Sequence, residues 1–174
     1  MTSSAPFIVT AELPADVFAW ADGLRRAHFP PERNWLQAHV TLFHAFAPSL
    51  REELYGVLRA HAARHAPPRA EVTGLMNLGC GTAIALASPA MSAIRAEIAE
   101  HFHGALTAQD SHAPRLHITV QNKVAPEAAR TLQGELAPLV ARRPFAFTGL
   151  GLHLYRNPHW ERLAVFAFRG KERC

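Results

Sequence analysis

The sequence predicts an α+β fold: two lobes related by a pseudo-twofold axis, antiparallel sheets lining a central cleft, helices outside. Three observations carry this. Strand-like and helical segments recur at matching places in the two halves of the chain. The apolar spacing switches between strand and helix periods as it does so. Hairpin-like turns join neighbouring strands, which favours antiparallel sheets over a doubly wound parallel one. There is no Gly-x-Gly-x-x-Gly after a strand and no P-loop.

The elements follow in order. Phe7–Glu12 is a short β-branched run ending at Leu13-Pro14, and Thr82–Ala87 is its counterpart, ending at Ser88-Pro89. A helical face follows each: Val17, Phe18, Trp20, Ala21, Leu24 and Ala27 in the first half, Met91, Ile94, Ile98, Phe102 and Leu106 in the second. Next come His39-Val-Thr-Leu42 and His117-Ile-Thr-Val120. Pro48 and Pro126, each nine residues past the histidine, open further helices. Leu50, Leu54, Val57 and Leu58 mark one apolar face; Ala129, Leu132, Leu136, Leu139 and Val140 mark the other. Strands carrying Thr-Gly-Leu at 73–75 and 148–150 complete each repeat, and Leu163–Phe168 closes the chain. One bilobal domain is therefore expected over 1–174, with repeat halves at about 7–78 and 82–155 and a closing strand at about 163–168.

Composition narrows the class. The chain has 174 residues, 49% hydrophobic and 18% charged, which is a globular balance. No apolar run reaches the roughly 18–20 residues of a membrane span. The first residues lack the basic and apolar regions of a secretory signal. Two cysteines, Cys80 and Cys174, make neither a disulfide framework nor a thiolate metal cage, and a reducing cytoplasm fits. A net charge of +4 mildly favours anionic partners such as nucleotides or RNA.

The paired His-x-Thr motifs carry the chemistry. With 11 His and nine Thr, chance alone supplies about 0.6 such tripeptides, so a lone motif says little. Two at corresponding repeat positions say much more. On a strand, His39 and Thr41 share one face while Val40 and Leu42 pack beneath; His117 and Thr119 stand likewise over Ile118 and Val120. A pseudo-twofold axis brings both polar pairs to one cleft. Two imidazoles there suit attack at phosphorus, one neutral and taking a proton, the other protonated and giving one. The threonine hydroxyls can donate to the non-bridging oxygens. No metal or other cofactor is required.

This arrangement resembles the 2H phosphoesterase superfamily, in particular its bacterial 2'-5' RNA ligase and RNA 2',3'-cyclic phosphodiesterase branch. The likeness spans nearly the whole chain. It implies a bilobal fold and opening of 2',3'-cyclic phosphates on RNA ends or small nucleotides. It also implies His39 and His117 as the acid/base pair, and Thr41 and Thr119 as phosphate binders. The alternatives are 2'-5' RNA ligase activity, or an RNA- or nucleotide-binding member with little turnover. The motif continuations Phe43-His44-Ala-Phe46 and Gln121-Asn-Lys123 depart from common members. A cytoplasmic monomer without membrane attachment is expected.

Further substrate contacts are candidates only. Phe43, Gln121 and Lys123 share the motif histidines' parity if the strands continue. Phe43 is a floor for the cleft or a core aromatic. Trp35 and Tyr155 are loop-end aromatics that could stack a base or anchor a loop. Arg115 and Arg156 are phosphate candidates or surface charges. His61 and His65, four apart on a helix, have a metal-compatible spacing, but no carboxylate accompanies them in sequence and a solvated face is expected. His101 and His103 point apart, and His44 should leave the cleft.

Overall fold

The computed structural model describes residues 4–173. Twelve principal elements alternate along the chain: β1 (Phe7–Glu12), α1 (Ala15–His28), β2 (Val40–Phe46), α2 (Arg51–Arg64), β3 (Arg69–Asn77), β4 (Thr82–Ala87), α3 (Pro89–His101), β5 (His117–Gln121), α4 (Pro126–Leu136), β6 (Arg143–Ala146), β7 (Gly149–Tyr155) and β8 (Trp160–Ala167). They build two four-stranded antiparallel sheets, ordered β2-β1-β7-β8 and β5-β4-β3-β6. The α+β class and the open antiparallel sheets are as expected.

The sheets do not coincide with the two sequence halves. β3 ends the first half but pairs with β4 at the start of the second; β7, near the end of the chain, pairs with β1 at its beginning. The strand at the Thr-Gly-Leu of each repeat, β3 and β7, has thus crossed to the other repeat's sheet, and neither sheet can form from one half alone. The hairpin of β3 and β4 is the direct reason, since a short turn pairs adjacent strands before any distant one.

Helix starts follow local chemistry. Pro89 and Pro126 occupy first turns, where their missing N–H is no loss, and Ser88 Oγ accepts from Met91 N at 3.1 Å. The helical faces are less apolar than expected. α1 buries Val17 and Ala21 but also Asp22 and Arg25, and α3 buries Arg95 beside Met91, Ile94 and Ile98. Leu106 and Leu139 lie beyond the ends of their helices, and Leu139 is largely exposed. β8 starts at Trp160, earlier than the expected 163, because an edge strand accommodates charged side chains such as Glu161 and Arg162.

Buried polar groups fix the first motif strand. Asp22 Oδ1 accepts from Ala38 N at 2.9 Å, just before β2. Asp110 is buried and accepts from the backbone N–H groups of His44 and Ala45 at 2.9 Å and contacts His44 Nδ1 at 3.1 Å. Burial alone would raise the Asp110 carboxyl, but these donors win and hold it below the ordinary 3.8. Asp110→Ala leaves two part-buried backbone donors without their partner and should cost about 1–3 kcal/mol at pH 7 in urea unfolding. Because the folded-state value is depressed, the carboxylate's contribution is complete above 3.8 and fades as pH falls through the folded value. The stability gap between wild type and Asp110→Ala should therefore narrow below pH 3.8.

Candidate active site

The two motifs occupy corresponding edge strands, β2 and β5, each paired to an inner strand of its sheet. Val40, Leu42, Ile118 and Val120 are fully buried, while His39, Thr41, His117 and Thr119 are half-exposed. This is the alternation expected of a strand with one face in the core. His39 itself sits one residue before β2, whereas His117 opens β5.

Each imidazole is held in the same way. His39 Nδ1 lies 2.7 Å from the carbonyl oxygen of Gln37, and His117 Nδ1 lies 2.6 Å from that of Arg115. A carbonyl can only accept, so each Nδ1 carries the hydrogen. The nitrogen left free on both rings is then Nε2.

Their surroundings differ. The ring of His39 packs against Trp160 at 4.6 Å, and Trp160 also meets His153 at 5.6 Å. Burial pulls His39 down from 6.5 to about 4; the neighbouring Arg25, His153 and His117 push the same way, and the Gln37 carbonyl opposes them. His117 is thus close enough to influence His39. Arg25 is buried, donates to Asn34 Oδ1 at 2.9 Å and, across the lobes, to the carbonyl of Thr119 at 3.0 Å. Burial lowers its guanidinium to about 10, which leaves it charged at neutral pH.

A cavity of about 570 Å³ opens beside His39, lined among others by Phe18, Trp35, Gln37, His153, Trp160 and Arg162. Its polar wall is a chain across three strands. His153 Nε2 lies 2.9 Å from Thr10 Oγ1, Thr10 Oγ1 donates to Glu12 Oε1 at 3.3 Å, and Arg162 donates to Glu12 Oε2 at 3.2 Å. His153 is lowered to about 4 by burial and by Arg162, so it is neutral at physiological pH. Gly151 lies under this chain: a Cβ there would collide with Thr10 Oγ1 and fall 3.0 Å from His153 Nε2. Glycine is what leaves room for the polar layer.

The sequence missed Thr10, Glu12, Arg25, His153, Trp160 and Arg162. One signal was available for His153. In Gly149-Leu-Gly-Leu-His-Leu-Tyr155 the leucines line one face, and the other face holds two glycines and the histidine, a surface cleared for close approach.

The secondary candidates divide. Trp35 lines the cavity, is 51% exposed and meets His159 edge-on at 5.4 Å. Phe43 is fully buried under Arg95 at 4.2 Å, which removes it as a ligand contact. The reason is a bulge: Val9 pairs with Phe43 and Thr10 with Thr41, so Leu42 is the extra residue and parity breaks after Thr41. Gln121 is also buried, accepting from Thr82 Oγ1 at 3.0 Å beside a second irregularity. Lys123 is exposed but lies beyond the end of β5, with a φ of 60° that takes it off the strand's alternation. Tyr155 donates to Asn157 and Arg156 pairs with Glu161, both outside the cavity lining. Arg115 is exposed, and only its carbonyl serves the site.

The sequence profile of the 2'-5' RNA ligase superfamily matches residues 13–159. The chain belongs to this superfamily, the 2H phosphoesterases. No curated protein matches it. Solved structures share the fold at low identity. TT0787 of Thermus thermophilus superposes with a TM-score of 0.67 at 16% identity, covering 96% of this chain and 100% of that one. LigT of E. coli, complexed with NADP+, gives 0.61 at 14%, covering 96% and 99%. A structure described as a phosphoesterase gives 0.58 at 16%, covering 95% and 99%. In this 2H phosphoesterase, no helix among the described residues is long and apolar enough to cross a membrane.

Burial is the largest cause of the depressed basicity of His39, and the Trp160 indole is a ring in contact with it. Trp160→Ala should let water reach the ring and raise the His39 value from about 4 toward 6.5, by about one unit or more. Histidine NMR titration of the variant against wild type checks this; an unmoved His39 would place the cause elsewhere.

Proposed function

We propose that the protein hydrolyses 2',3'-cyclic phosphates of RNA ends or small nucleotides by two-histidine acid/base catalysis that uses no metal. The observation that carries this reading is the matched pair of imidazoles. Each is fixed through Nδ1 by a carbonyl two residues earlier, and His39 also packs against Trp160.

The burial of His39 supports one allocation of the roles. A histidine lowered to about 4 is neutral across physiological pH and can accept a proton, so His39 is the general base. Its Nε2 takes the proton of the attacking water as the new P–O bond forms. His117 is the general acid: its Nε2–H gives a proton to the ribose oxygen as the old P–O bond breaks. The hydroxyls of Thr41 and Thr119 donate to the non-bridging oxygens, where charge accumulates. Proton exchange with solvent then resets both rings.

The cavity beside His39 accommodates the nucleoside, with Trp35 offering a stacking face. LigT has been crystallised with 3'-AMP and with NADP+, ribose phosphates of the class this site suits. A ribose 5'-hydroxyl in the cavity beside His39, with the cyclic phosphate's own nucleoside lying outside it, would replace water as the nucleophile, and the same groups would then make a 2'-5' linkage. This favours ligation as the second reading.

Hydrolysis of a 2',3'-cyclic phosphate-terminated oligoribonucleotide in excess chelator tests the proposal, with products resolved as 2'- or 3'-phosphates. His39→Ala and His117→Ala should each lower kcat/KM by about 10²–10⁴. Full activity in either variant would remove the assignment. In wild type, kcat/KM should rise with pH through about 4 as free His39 loses its proton. That acid limb should be absent from the residual activity of His39→Ala and present in that of His117→Ala. If His117→Ala lost it and His39→Ala kept it, the two roles would be exchanged.

A further inference from the structure

The fold supplies the carboxylate that the sequence around His61 and His65 lacks. α2 carries His61 in its last turn, His65 follows at its C-terminal cap, and Glu97 reaches both from α3. Glu97 Oε2 lies 3.4 Å from His61 Nδ1 and 3.5 Å from His65 Nε2, and one ligand atom from each residue falls within 4.8 Å of the others. Bonds of roughly 2.0–2.1 Å arranged tetrahedrally place neighbouring ligand atoms about 3.3–3.4 Å apart. The two separations from Glu97 are close to such edges, and the third lies within 4.8 Å.

Three further observations point the same way. His65 Nε2 is shut off from solvent and has no hydrogen-bond partner, an expensive state for a ring nitrogen facing a carboxylate. The two rings stack nearly parallel, 4° apart at 5.7 Å, so they present an aligned pair to Glu97. A cation already occupies the neighbourhood: Arg64 Nη2 lies 2.9 Å from Glu97 Oε2 and 3.2 Å from His61 Nδ1. A guanidinium only donates, so His61 Nδ1 meets it with a lone pair, the form that binds metal. Arg64 is itself 56% exposed and can swing into solvent. A depression of about 610 Å³, lined by Arg64, His65 and Glu97 among others, gives an ion and its water access.

We propose that His61 Nδ1, His65 Nε2 and the Glu97 carboxylate form a site for a zinc-class divalent cation, completed by water and separate from the catalytic cleft. Two imidazoles and one carboxylate suit zinc or cobalt rather than magnesium, which prefers all-oxygen shells. None of the three residues lines the cavity beside His39. The ion joins α2 of the first half to α3 of the second, and binding to the folded state alone stabilises it in proportion to occupancy.

The test titrates metal-stripped full-length protein with zinc chloride by calorimetry, with cobalt(II) absorption reporting coordination. Wild type should take up one equivalent, raise its Tm and show the intense visible bands of tetrahedral cobalt; magnesium should do neither. His65→Ala and Glu97→Gln should weaken zinc by about 100-fold or more, since even outer hydrogen-bond partners of metal ligands are worth 10–100-fold. Arg64→Ala should tighten it by roughly two- to fivefold, the value of an exposed ion pair. The double variant His39→Ala/His117→Ala should keep the equivalent. The proposal is overturned if wild type binds no stoichiometric zinc, if His65→Ala and Glu97→Gln bind as wild type does, or if only the motif double variant loses the ion. Hydrolysis that persists in chelator leaves the catalytic reading in place whichever way zinc binding falls.

Discussion

Two buried arginines crossing between the lobes are the constraint on which the site depends. Arg25, from α1, donates to the carbonyl of Thr119 inside the second motif, and Arg95, from α3, donates to the carbonyl of Leu42 inside the first. Each guanidinium also lies over a phenylalanine ring at 4.2 Å, Phe29 for one and Phe43 for the other. A buried guanidinium is costly unless nearly all of its donors find partners. Carbonyls of the motif strands supply partners here, so the lobes cannot slide apart without stranding a charge. Each half's helix therefore holds the other half's motif strand, and the placement of His39 and His117 follows from packing.

The duplication and the motif pair were legible in sequence because both rest on local pattern. The alternation in His117–Val120 carries through unchanged, and helix starts at Pro89 and Pro126 follow from backbone chemistry alone. What stayed hidden depends on partners distant in the chain. The bulge at Leu42 is set by pairing with β1, and it turns Phe43 inward although its spacing from His39 says otherwise. The β3–β4 hairpin was legible from its turn, but the return of β7 to β1 is a fact of topology that the repeat offset alone does not contain. Arg25 and Arg95 interrupt apolar faces and would be read as solvated. His61 and His65 lacked a carboxylate only because Glu97 comes from another helix.

The polar wall beside His39 shows how the fold accommodates uncharged imidazole. His153, Thr10, Glu12 and Arg162 form one connected chain, so the carboxylate and guanidinium compensate each other at 3.2 Å while the buried His153 remains neutral. Gly151 beneath them is the steric condition for that layer.

A duplicated site poses a chemical problem. On the reading proposed above, acid and base must differ, yet a repeat offers the same residue twice in the same frame. The hydrogen bonds at Nδ1 are indeed the same in both halves, so they cannot distinguish the rings. The outer strands can. β8 pairs with β7 along its whole length and sets Trp160 opposite Tyr155, which places the indole over His39. Its counterpart β6 is only four residues long and pairs with β3 at Arg69–Val72 alone. On the side of β3 away from β4, no described strand runs beside residues 73–77, the part of β3 that matches β7 through the shared Thr-Gly-Leu. Shortening one edge strand thus removes an indole-bearing wall from one half of a symmetric frame. On the acid/base reading proposed above, burial of His39 beside that indole is what lets one of two like motifs serve as the base.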